Sequence, residues 1–130
     1  RGITSLAELT DADCDTIANL LCSFKEVVNK DMAKGNYHQA FDTFLEILDS
    51  LSNHFVKDEH FCYFDDMYSP DYICYDILKS IIAQIKIGKV PAEDVAYLDK
   101  GIAKIAAMEA YEDYGTPFCV MDWRKFMDTL

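Results

Sequence analysis

Positive charge is scarce in this chain. Twelve Lys and Arg stand against 23 Asp and Glu, a formal charge of −11 in 130 residues. That balance argues against sequence-independent binding to nucleic acid phosphate or to an anionic membrane, and makes a cationic partner the natural one. Long apolar runs are missing as well. No uninterrupted stretch approaches the roughly 20 residues that span a bilayer, and the opening Arg1-Gly2-Ile3-Thr4-Ser5-Leu6 lacks the apolar segment of a signal peptide. The three prolines and five glycines are too dispersed to make a linker or low-complexity tract, and Gly35, Gly88, Gly101 and Gly115 stand alone, so no glycine loop for cradling phosphate is present. Five cysteines, at 14, 22, 62, 74 and 119, are odd in number and irregularly spaced. They form neither a disulfide framework nor a CxxC zinc or redox motif. Reduced thiols and the absent leader set the expectation of a cytoplasmic protein, with Cys22 and Cys74 acting as small hydrophobes on apolar helical faces.

What is present is enough apolar material for one core. With 51% hydrophobic residues in 14.9 kDa, folding can bury about two-thirds of the chain's surface without staples. Residues 1–130 are therefore expected to form a single helical domain. A first helix is predicted from Asp11 to Lys34, where Ile17, Leu20, Leu21, Phe24, Val27 and Val28 recur near a 3.6 period and Gly35 supplies the stop. The second runs from Tyr37 to about Phe55 and carries the clearest apolar stripe, Tyr37, Ala40, Phe41, Phe44, Ile47, Leu48, Leu51 and Phe55. Ser69-Pro70 opens a third, bearing Ile73, Ile77, Leu78, Ile81, Ile82 and Ile85 and stopping at Gly88. Pro91 opens a fourth with Val95, Leu98, Ile102 and Ile105 inward, and Ala103, Ala106, Ala107 and Ala110 placed for close packing. Asp122 is expected to cap a short last helix with Trp123, Phe126, Met127 and Leu130. The fold class is all-α: four main helices in an up-and-down bundle or stacked helical hairpins, closed by a short C-terminal helix.

Gly35-Asn36-Tyr37-His38-Gln39-Ala40-Phe41, followed by Phe44 and Ile47, resembles the second helix of a tetratricopeptide repeat. The resemblance covers residues 35–47, with Val28 and Asp31 standing where that repeat usually places small and aromatic residues, and no second copy follows Gly88. It implies a helical hairpin used for protein interaction, with a peptide held in a groove between the first two helices.

If the helices alternate in direction, three acidic stretches share one pole. Asp11, Asp13 and Asp15 belong to the first; Asp58, Glu59, Asp65, Asp66 and Asp71 to the second; Glu109, Glu112 and Asp113 to the third. Lys30, Lys34, Lys86 and Lys89 go to the other pole. Acids at helix starts complement the peptide dipole, but Glu112 and Asp113, near the end of the fourth helix, oppose it. The same stretches carry aromatic rings. Phe61, Phe64 and Trp123 are expected to be buried, and Tyr63, Tyr68, Tyr111 and Tyr114 to offer contact area with a polar tip. The predicted contact set is thus Asp58, Glu59, Tyr63, Asp65, Asp66, Tyr68, Tyr111, Glu112, Asp113 and Tyr114.

Chemistry finds less support. His54 and His60, with Asp58, Glu59, Cys62, Asp65 and Asp66, offer ligand types for a divalent ion at spacings that match neither a compact zinc motif nor a calcium loop. Asp65-Asp66 and Cys62 near His60 are pairs by sequence only, without a geometry that divides acid, base and nucleophile. His38 is expected on the surface or in packing. No catalytic residue, metal or cofactor is assigned. The leading expectation is a non-enzymatic module whose acidic aromatic end binds a basic protein, as an inhibitor or immunity protein of a nuclease-like toxin would. A tetratricopeptide-like peptide adaptor comes second and a metal-dependent enzyme or sensor third.

Overall fold

The computed structural model describes residues 14–57, 70–107 and 118–129. Five helices account for nearly all of them, with no strand among the described residues: α1 (Cys14–Ala33), α2 (Tyr37–Lys57), α3 (Pro70–Lys86), α4 (Ala92–Ala106) and α5 (Phe118–Asp128). Most buried positions are those the periodicity selects, with Met32 and Val120 added to them and Leu20, Val27, Ile85 and Val95 only partly buried. Leu21, Phe24 and Val28 of α1 and the whole stripe from Tyr37 to Leu51 of α2 are buried, as are Ile73, Ile77, Leu78, Ile81 and Ile82 of α3. Leu98, Ile102 and Ile105 of α4 join Val120, Trp123 and Phe126 of α5 in the same core. Thr43 is the one polar residue buried among them, and its hydroxyl donates to the Gln39 carbonyl one turn back, at 3.0 Å.

Two glycine stops have the same geometry. Gly35 and Gly88 adopt φ of 82° and 79°, a conformation that costs side-chain-bearing residues energy and glycine little. Gly35 N–H donates to the Met32 carbonyl and Asn36 N–H to that of Asp31; Gly88 and Lys89 repeat the pattern on Ile85 and Gln84. Both are Schellman closures, which satisfy carbonyls that a helix end otherwise leaves unpaired. Asn36 then starts α2, its carbonyl accepting from Ala40 N–H at 3.1 Å, and Pro91 starts α4 by accepting from Asp94 and Val95.

The helices pack in the spatial order α3, α1, α2, α4, which is the stacked-hairpin arrangement. α1 and α2 are antiparallel across the Gly35 turn. α2 and α4 run parallel: His38 and Asp42 meet Tyr97, and Leu45, further along, meets Gly101. The Gly88 closure and the short connection 87–91 place the end of α3 beside the start of α4. α5 packs on α3 and reaches α4 through Trp123, whose Nε1–H donates to Asp99 Oδ1 at 3.0 Å. Lys25 of α1 bridges to Asp76 of α3.

Three details differ from expectation. Cys22 is exposed while Cys74 is buried, because α1 buries positions 21, 24 and 28 and turns 22 outward. Ala103 and Ala107 are also exposed, and of the described small residues proposed for close packing only Ala106 is buried. The tight approach is made by Gly101 instead. Asp122 does not cap α5, which begins four residues earlier at Phe118. Burial of Val120 on the same face as Trp123 favours the extra turn.

Candidate functional site

Every residue of the predicted contact set lies outside the described residues: Asp58, Glu59, Tyr63, Asp65, Asp66 and Tyr68 between α2 and α3, and Tyr111, Glu112, Asp113 and Tyr114 between α4 and α5. Phe61, Phe64, His60 and Cys62 lie there too. What the structure does describe is the frame from which those segments depart. Because α2 and α4 are parallel, Lys57 and Ala106 end at one pole of the molecule, together with the starts of α1 and α3. The opposite pole carries Lys30, Lys34, Lys86 and Lys89, all exposed. Glu93 and Asp94 sit at this pole as well, in the first turn of α4, where they complement its dipole.

Among the described residues a groove of about 550 Å³ lies between α2 and α4. Its α2 wall is Asp42, Leu45, Glu46 and Asp49, which at spacings of three and four share one helix face. The α4 wall is Tyr97, Lys100, Gly101, Lys104 and Ile105. One missing side chain sets how closely the two walls approach. A Cβ on Gly101 would lie 2.4 Å from Leu45 Cδ1 and 2.8 Å from its Cδ2, so glycine lets Leu45 seat directly against the α4 backbone. Leu45 is half-buried and Ile105 buried, and together they make an apolar floor.

One end of the groove is held by a polar and aromatic contact. Tyr97 Oη donates to Asp42 Oδ1 at 2.7 Å, and the His38 ring lies over the Tyr97 ring with centroids 4.3 Å apart. His38 is exposed, and packs in this way. The bond to Asp42 raises the Tyr97 pKa above the ordinary tyrosine value, aided by burial and by the negative charges of Asp42 and Glu46. Asp42, Glu46 and Asp49 do not converge as ligands: among the described residues no three His, Cys, Asp or Glu side chains come together to hold a metal ion. No described helix is long and apolar enough to cross a membrane.

None of these groove residues was singled out from sequence as a site. The signal available was Gly101 itself, a lone glycine inside an amphipathic helix, which marks a close approach of another element. Nothing local identified α2 as that element. Comparison of the chain with protein-family models, with curated proteins and with solved structures finds no match in any of the three.

Proposed function

We propose that the protein is a non-enzymatic binding module that masks or recruits a basic protein through an acidic, aromatic end, in the manner of an inhibitor or immunity protein. The observation that carries this reading is the parallel register of α2 and α4. It ends both helices at one pole, and the sequence that follows them in the chain, 58–66 and 109–113, is rich in Asp, Glu and Tyr. The exposed lysines of the two glycine turns occupy the other end. A molecule polarised in this way orients itself in the field of a cationic partner, and opposite fields speed encounter. A partner that handles nucleic acid already carries a cationic surface for phosphate, which an acidic protein can cover.

The test is kinetic. The whole chain and a variant carrying Asp65→Asn, Asp66→Asn, Glu112→Gln and Asp113→Asn are compared for association with basic proteins captured from the native cell. At low salt the variant should associate at least about tenfold more slowly, and salt should slow the parent chain much more than the variant. Equal rates, or a parent rate indifferent to salt, would exclude the reading.

A further inference from the structure

We draw no further inference here: the strongest candidate, the groove between α2 and α4 floored by Leu45 and Ile105, is rimmed by exposed side chains such as Glu46, Lys100 and Lys104, and nothing in the structure shows what covers it.

Discussion

At Gly101 the missing side chain seats Leu45 directly against the α4 backbone, beside the groove that both residues line. Replacing it with Ile brings branched carbons onto Leu45 from a helix that cannot retreat without unpacking Ile102 and Ile105. Gly101→Ile should therefore cost about 1–3 kcal/mol in urea unfolding. Adding Leu45→Ala should recover part of that loss, a coupling that two independent sites would not show. Tyr97 makes a second residue-level prediction. Its raised pKa means that the folded chain holds the phenol proton more tightly than the unfolded chain does. The stabilising contribution is whole below the ordinary value of about 10 and is lost as pH rises through the raised one. A phenolate absorbance titration should show a late-titrating tyrosine that disappears in Tyr97→Phe and titrates earlier in Asp42→Asn. A parent titration unchanged by either substitution would rule this out.

Helix boundaries follow local chemistry where backbone conformation decides them, and depart from it where burial does. Gly35 and Gly88 were legible as stops because a positive φ at the end of a helix is a glycine position, whatever surrounds it. No atom within 4 Å would meet a Cβ at either, so Gly35→Ala and Gly88→Ala should each cost about 1 kcal/mol from backbone conformation alone. Thermal unfolding of the single and double variants should show the two losses adding. The start of α5 was not legible in the same way: Asp122 has the chemistry of a cap, yet Val120, two residues before it, is buried and draws the helix back to Phe118. α5 also depends on Trp123, buried in the core with its indole N–H on Asp99. Trp123→Phe keeps a ring but loses that bond and part of the volume, and a loss of about 1–3 kcal/mol is expected.

Over the whole molecule, chain order and spatial order differ. α2 and α3 are consecutive, yet α3 packs on α1, and α4 packs on α2. This crossing of hairpins makes α2 and α4 parallel neighbours, and so determines both the shared pole at Lys57 and Ala106 and the groove on the flank. The excess of 11 negative charges acts at the same scale. Self-repulsion should be relieved as salt shortens the Debye length from about 10 Å at 0.1 M to about 3 Å at 1 M. The urea midpoint at neutral pH should accordingly rise with sodium chloride over that range; a midpoint that falls steadily would mean that local ion pairs such as Lys25 with Asp76 outweigh the net charge.

Sequence alone determined the helical class, the inward face of each helix and the two glycine turns, because these depend on a 3.6-residue period and on backbone sterics, both local properties. It also determined the separation of acidic and basic stretches along the chain. Only the tertiary structure decided that α2 lies beside α4, since the apolar stripes of four amphipathic helices can pair in several orders with similar burial. Close approach at Leu45 and Gly101 is one contact of the pairing that forms. Asp42, Glu46, Lys100 and Lys104 look like ordinary solvated charges until that pairing sets them across a common groove.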